Sequence, residues 1–166
     1  MKYYRQLNVG YHQIYIVDSS IDQNYYKYIW TNADIDSMLC VSRHFLIMAT
    51  GGPLLVPFFA TTYNEKPELD LSQYDHVVEC SLELLSGLRI FGEFDEEEYS
   101  LSIDIKAGNY VVVACYKGLD SISFDGLEGD DSYHLFLWPS KERIPKKVLK
   151  QWVNEERGIG TGFYKE

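Results

Sequence analysis

The sequence predicts a single all-β domain, an antiparallel β-sandwich of about eight strands with one or two short helices. Aromatic residues make up 15% of the 166 residues, and aromatic rings pack well on pleated sheets. Several segments alternate apolar and polar residues with period two, which is typical of strands that have one buried face. Pairs of turn-forming residues such as Gly51-Gly52 separate these segments at short intervals, and such spacing favours a sandwich or barrel.

Length and composition indicate one folded unit. A chain of 166 residues with 46% hydrophobic and 24% charged residues has an ordinary globular composition, which excludes disordered, collagenous and coiled-coil classes. We expect one domain over residues 1–157 and a flexible tail over residues 158–166. The sequence contains neither a membrane-spanning apolar stretch nor a hydrophobic signal core, so we expect a cytoplasmic protein.

The first predicted strand covers residues 7–17, where Gln13 alone interrupts the apolar face. Because buried polar groups need partners, we expect Gln13 to be half-buried with its amide bonded to neighbouring backbone groups. Seven further strands are predicted over residues 43–50, 55–63, 76–84, 88–93, 99–105, 110–116 and 133–138. The predicted core contains Val9, Tyr11, Val78, Cys80, Leu82, Leu101, Ile103, Val111, Val113 and Leu135.

Two short helices are predicted, over residues 34–40 and 145–157. Thr31 or Asn32 caps the first helix, and Pro145 suits the first turn of the second. The apolar stripe of the second helix is expected to dock on the sandwich and comprises Val148, Leu149, Trp152 and Val153.

Acidic residues dominate the middle of the chain. The net charge is −10, and seventeen anions face only four cations between Glu65 and Asp131. A surface of this sign repels phosphate backbones and anionic membranes. Direct nucleic-acid or membrane binding is therefore disfavoured, and a basic protein is the favoured partner.

The two densest acidic runs, residues 93–98 and 120–131, have three interpretations. They form a solvated face, or a docking surface in which carboxylates steer and aromatic residues anchor a basic protein. The third is a calcium site, although the spacing does not fit the twelve-residue calcium loop; its ligands would be Asp120, Asp125, Glu128, Asp130 and Asp131. For the docking surface, the candidate partner-binding residues are Phe94, Asp95, Glu96, Glu97, Glu98, Tyr99, Asp130 and Asp131.

No residue pattern predicts catalysis, a metal site or a cofactor. The glycine-rich segment 158–162 follows a predicted helix and does not precede one, which is the wrong context for a phosphate-binding loop. The cysteines lie in apolar runs that favour burial: Cys40, Cys80 and Cys115. The histidines lack the spacing of metal pairs: His12, His44, His76 and His134.

The sequence resembles the bacterial competence protein J family, the DNA-entry nuclease inhibitors. The resemblance begins in LNVGYHQIYIVDS, where Tyr11, Gln13 and Ile14 match a Tyr-x-Gln-hydrophobic pattern. It continues through YDHVVECSLELLSG, SLSIDIKAGNYVVVACY and YHLFLWP, and so spans most of residues 7–138. The resemblance implies a small β-sandwich that binds and suppresses a nuclease without a cofactor or catalysis of its own, as immunity proteins do.

The leading hypothesis is therefore a non-enzymatic inhibitor or immunity-type protein whose partner is a basic effector, a nuclease first of all. One alternative is a ligand-binding or structural module that recognises a sugar or peptide; a weaker alternative is a hydrolase. The module would use exposed aromatic residues, namely Tyr25, Tyr26, Tyr28 and Trp30. Binding of a basic protein should weaken steeply with salt, whereas stacking on a neutral ligand should not.

Overall fold

The chain folds into β-sheets in a computed structural model that describes residues 1–22, 29–92, 99–154 and the backbone of 158–159. Within these residues there is one α-helix, α1 (Asn32–Ser37), so the all-β class is confirmed. The strands are β1 (Lys2–Asn8), β2 (Gln13–Asp18), β3 (Leu39–Val41), β4 (Phe45–Ala49), β5 (Leu55–Thr62), β6 (His76–Leu84), β7 (Leu88–Phe91), β8 (Ser100–Ile103), β9 (Gly108–Lys117), β10 (Ser132–Pro139), β11 (Lys147–Lys150), β12 (Val153–Asn154) and β13 (Gly158–Ile159).

The chain passes back and forth between two large sheets. The first has six strands in the order β1-β5-β10-β9-β6-β11, and the second has five in the order β3-β4-β2-β7-β8. Neighbouring strands are antiparallel except for β5 and β10, which are parallel, so the expectation of an antiparallel architecture is wrong at this pair. A parallel pair needs a long crossover connection, and the segment between β5 and β10 supplies one that contains four other strands.

Both large sheets contribute to one buried hydrophobic cluster, with Ile14 and Leu46 from the second sheet and Phe58 from the first. Of the ten predicted core residues nine are buried, but Tyr11 is 69% exposed. Val111 and Val113 are buried in a separate cluster on the other face of the first sheet. The central strands of that sheet are thus covered on both faces, which alternation alone does not reveal.

The predicted strand over residues 7–17 is two strands in different sheets. The chain reverses at His12, whose φ of 58° lies in the left-handed region. The turn shifts the alternation by one residue, so Ile14 and Ile16 enter the main core and Tyr11 faces solvent. Gln13 is half-buried as expected, but its Oε1 accepts a hydrogen bond from the Tyr15 hydroxyl at 2.7 Å.

Helix α1 overlaps the first predicted helix, but it covers residues 32–37 and not 34–40, because residues 39–41 form β3. Of the two predicted caps, Thr31 is the one that the structure uses. The Thr31 Oγ1 accepts a hydrogen bond from the Asp34 amide at 3.2 Å, and the Asp34 carboxylate accepts one from the Thr31 amide at 3.1 Å. The helix ends at Met38, where φ is 56°. No helix in the described part of the chain is long and apolar enough to cross a membrane.

The second predicted helix, over residues 145–157, is wrong. Strand β11 occupies residues 147–150 instead and pairs antiparallel with β6 at the edge of the six-stranded sheet. The open hydrogen-bonding groups of the β6 edge outweigh local helix propensity, a weak preference that tertiary context overrides. Exposed Lys147 and Lys150 now occupy this edge, where lysines discourage pairing with another chain.

We call residues 144–154 the C-terminal strap, because side chains along them tie this segment to the rest of the protein. The Lys146 Nζ lies 2.8 Å from Asp34 Oδ1 and also donates to Ser37 Oγ and the Leu39 carbonyl. The Trp152 amide donates to His76 Nδ1 at 3.1 Å. These contacts fix the strap without helical hydrogen bonds.

The end of β7 crosses the end of β1 at a glycine. A Cβ added to Gly92 would lie 1.6 Å from the Asn8 carbonyl oxygen, a distance that no side chain tolerates. Glycine is therefore required for this approach between strands of the two sheets.

Candidate partner-binding surface

The predicted partner-binding residues fall into two regions. Phe94, Asp95, Glu96, Glu97 and Glu98 lie outside the described residues, and their assignment stays a prediction. Tyr99 is half-buried and lines a shallow groove of about 230 Å³ with Tyr4, Arg5 and Gln6 of β1. Asp130 and Asp131 belong to the connection between β9 and β10.

We call residues 118–131 the acidic loop. It contains five carboxylates and no lysine or arginine. A 3-10 turn (Leu119–Ser121) opens it, and Gly118 and Gly126 adopt φ values of 76° and 72°. These left-handed positions favour glycine and allow the chain to reverse twice within a short segment.

Hydrogen bonds within the acidic loop hold its outer part. The Ser123 amide donates to the Glu128 carbonyl at 2.8 Å, and the Glu128 amide returns a bond to Ser123 Oγ at 3.0 Å. The Asp125 carboxylate accepts from Ser123 Oγ at 2.6 Å and from the Leu127 amide at 3.0 Å. These bonds stabilise the charged form and hold the pKa of Asp125 below its usual range.

The acidic loop rests on the turn between β4 and β5. A Cβ on Gly126 would lie 2.9 Å from the Gly51 carbonyl oxygen, and a Cβ on Gly52 would lie 2.3 Å from the Asp131 carboxylate. Both glycines therefore allow close packing between two loops that are distant in sequence.

Asp130 and Asp131 occupy opposite environments. Asp130 is exposed, whereas Asp131 is 2% exposed and accepts a hydrogen bond from the buried Tyr133 hydroxyl at 2.6 Å. Burial raises the pKa of the Asp131 carboxyl above its usual value. Asp131 supports the loop from inside, and Asp130 is the member of the pair that faces solvent.

The tip of the acidic loop presents two large apolar side chains. Phe124 is 89% exposed and Leu127 is 72% exposed. The loop packs on the turn at Gly51, which is bonded to the turn at His12, and these turns expose Leu54 and Tyr11. The sequence marks Phe124 as an aromatic residue within an acidic run, but it gives no sign that Leu127 faces solvent beside it.

The five carboxylates proposed for calcium do not form a metal site. Asp131 is buried against Gly52, and Asp120 accepts hydrogen bonds from the side chains of Trp152 and Asn154 at 2.9 and 3.3 Å. No group of three potential metal-ligating side chains occurs in the residues that the structure describes.

A second exposed surface lies on the outer face of the six-stranded sheet. Three rings form a stack across β1, β5 and β10: Phe59 lies parallel to His134 with centroids 4.7 Å apart, and Tyr4 is tilted by 45° against Phe59 at 5.0 Å. Tyr4 is 57% exposed and Phe59 is 37% exposed. Desolvation lowers the pKa of His134 to about 4, so this stack is uncharged at neutral pH. The Tyr74 ring packs edge-on against the His134 ring, with centroids 5.1 Å apart.

The aromatic segment that the ligand-binding alternative relied on is only partly described. Tyr25, Tyr26 and Tyr28 lie outside the described residues, and Trp30 is half-buried against the core. Trp30 packs against the core and is only partly exposed, so the ligand-binding alternative relies instead on the exposed aromatic residues of the first sheet.

His76 and the three cysteines are buried. His76 is fully buried, with Nε2 2.7 Å from the Ser37 carbonyl oxygen and Nδ1 accepting from the Trp152 amide. The three cysteines are buried as free thiols, and desolvation raises the pKa of each one; they are Cys40, Cys80 and Cys115.

Solved structures share this architecture, although no family model and no curated protein matches the sequence. One is ComJ from Bacillus subtilis, inhibitor of the DNA-degrading activity of NucA, with a TM-score of 0.65 over 84% of this chain and 98% of ComJ, at 13% identity. Another is the product of crocagin biosynthetic gene J, with a TM-score of 0.53 over 85% of this chain and 99% of that chain, at 14% identity. The chain therefore has the fold of ComJ.

Proposed function

We propose that this protein is a non-enzymatic inhibitor that binds a basic nuclease and blocks its access to DNA. The observation that carries the proposal is the fold shared with ComJ over most of both chains. ComJ inhibits the DNA-degrading activity of NucA, so this architecture is known to serve nuclease inhibition in one protein.

The charge of the chain supports the same proposal. A nuclease must attract DNA phosphates, and a protein with a net charge of −10 is attracted to the cations that do so. The same charge repels DNA itself. Inhibition should therefore act through the enzyme and not through sequestration of its substrate.

The test is a titration of purified protein against DNA cleavage by NucA and by a second basic nuclease. We expect stoichiometric inhibition of at least one enzyme, a complex that elutes as one species, and no retardation of DNA when the nuclease is omitted. Affinity should fall as salt is raised, because the approach of opposite charges is screened. Absence of a complex with both enzymes would refute the proposal.

We further propose that the acidic run at residues 94–98 contributes to the partner-binding surface together with Tyr99 and Asp130. Changing Glu96, Glu97 and Glu98 together to glutamine should slow association at low salt, and we expect the triple variant to fold normally. The matched control changes three exposed carboxylates elsewhere, Glu65→Gln, Glu68→Gln and Glu142→Gln. Equal association rates for the two variants would exclude the run from the interface.

A second candidate function is recognition of a sugar or peptide, which the exposed aromatic stack on the first sheet favours. Exposed aromatic rings on neighbouring strands offer apolar contact area for such ligands. The variant Tyr4→Ala/Phe59→Ala would abolish such binding, and salt would leave it nearly unchanged. If the protein is a nuclease inhibitor, the same variant should still bind the nuclease, and this binding should weaken as salt is raised.

A further inference from the structure

The tip of the acidic loop combines exposed apolar area with a fixed backbone. Phe124 and Leu127 lie three residues apart and are each more than two-thirds exposed, at 89% and 72%. A single exposed hydrophobic residue is ordinary on a protein surface. Two large ones at one loop tip are the kind of exposed apolar area that marks an interaction site. Tyr11 and Leu54 are also exposed, on turns whose backbones adjoin the loop through Gly51 and His12.

Hydrogen bonds hold the loop backbone that carries these two side chains. Reciprocal bonds between Ser123 and Glu128 close the tip, and the Asp130 amide donates to Ser121 Oγ at 2.8 Å. Gly126 packs on the Gly51 carbonyl behind the tip. A preorganised loop loses little conformational entropy on binding, so its apolar side chains retain more of their contact energy as affinity.

Charge around the patch selects the class of partner. The carboxylates of Glu128 and Asp130 are exposed next to the tip, and no lysine or arginine occurs between residues 118 and 131. An apolar centre with a charged rim is the usual anatomy of a protein interface. The complementary surface is therefore cationic, with an apolar pocket at its centre.

We propose that Phe124 and Leu127 anchor this protein on the cationic DNA-binding face of its nuclease, with Glu128 and Asp130 on the phosphate-binding cations. This inference rests on the proposed inhibitor function. Apolar anchors act mainly on dissociation, whereas rim charges act mainly on association. The two parts of the surface therefore have separate kinetic signatures.

The experiment uses the full chain and the nuclease that it inhibits, with association and dissociation rates measured by surface plasmon resonance. We expect Phe124→Ala/Leu127→Ala to speed dissociation by about tenfold or more and to leave association within about twofold. Glu128→Gln/Asp130→Asn should slow association several-fold at low salt. The matched controls are Ile29→Ala/Leu85→Ala, which removes exposed apolar area elsewhere, and Glu65→Gln/Glu68→Gln.

A second measurement does not depend on a variant. Hydroxyl-radical footprinting of the wild-type complex should protect Phe124 from oxidation and leave Phe59 unprotected. Unchanged dissociation of Phe124→Ala/Leu127→Ala, or an unprotected Phe124, would overturn the docking inference while inhibition by the wild type keeps the proposed function. If the wild type inhibits neither nuclease, both proposals fall together.

Discussion

Acidification should release the C-terminal strap, because His76 is bonded in a way that only its neutral form permits. Its Nε2 faces the Ser37 carbonyl, and its Nδ1 accepts the Trp152 amide. Protonation would put a hydrogen on Nδ1, which carries none in the neutral form, and this N–H would then point at the Trp152 N–H. Two donors would face each other, and the buried imidazolium would be desolvated against the Tyr116 ring at 5.1 Å.

The pKa of His76 gives both the sign and the size of the effect. Desolvation by burial lowers this pKa to about 4 in the folded protein, whereas an unfolded histidine titrates near 6.5. The unfolded state therefore binds the proton first, and stability is full above about pH 6.5 and falls as pH decreases toward 4. Linkage gives a loss of about 2 kcal/mol between pH 8 and pH 5.

The assay is urea denaturation of the wild type and His76→Gln across this pH range. Glutamine supplies one donor and one acceptor without a titrating group, so the other ionisable residues cancel in the comparison. The pH dependence of the unfolding free energy should be smaller in the variant by about 2 kcal/mol. Parallel pH profiles would refute the reasoning, as would a wild-type His76 NMR titration midpoint near 6.5.

Three further outcomes follow from packing and hydrogen bonding, each checked in purified protein. Gly92→Ala should destabilise the fold by about 3 kcal/mol or more, since its Cβ would collide with the Asn8 carbonyl. Gly87→Ala should destabilise it less, because the atom nearest to its Cβ lies 3.1 Å away. Thermal unfolding of the two variants tests this difference. Lys146→Met should cost about 3 kcal/mol in urea denaturation, because the buried Asp34 carboxylate loses its ion pair, and adding Asp34→Asn should cost less than the sum of the single changes. Ellman's reagent should react with the native thiols only as the protein unfolds, since burial raises the thiol pKa, and a fast phase would contradict the burial of Cys40, Cys80 and Cys115.

Sequence patterns predict those parts of this fold that depend on local periodicity or capping. Strand β6 has the predicted bounds, and the Thr31 cap of α1 is confirmed. The predicted helix over residues 145–157 is wrong because its residues pair with the β6 edge, a partner some 70 positions earlier in the chain. The reversal at His12 was missed because a left-handed histidine carries no strong sequence signal.

The candidate site likewise has features that the sequence predicts and features that depend on tertiary packing. Charge counting locates the acidic loop, since charge is a property of composition. It cannot distinguish buried Asp131 from exposed Asp130, because that difference depends on Gly52 and Tyr133 packing around one carboxylate. The exposure of Leu127 could not be predicted either, because the path of the loop backbone decides whether a leucine there is buried or exposed.

The parallel pairing of β5 with β10 has a consequence for biosynthesis. Strand β5 leaves the ribosome well before β10, and Phe58 on it is fully buried in the finished protein. On its β10 side, β5 has no neighbour until Tyr133 and the residues after it have been translated. Pairing between distant segments is slow and leaves strand edges exposed to aggregation. The nascent chain therefore carries an incomplete sheet edge while residues 63–131 are synthesised, and its yield in cells should depend on chaperones that bind unpaired strands.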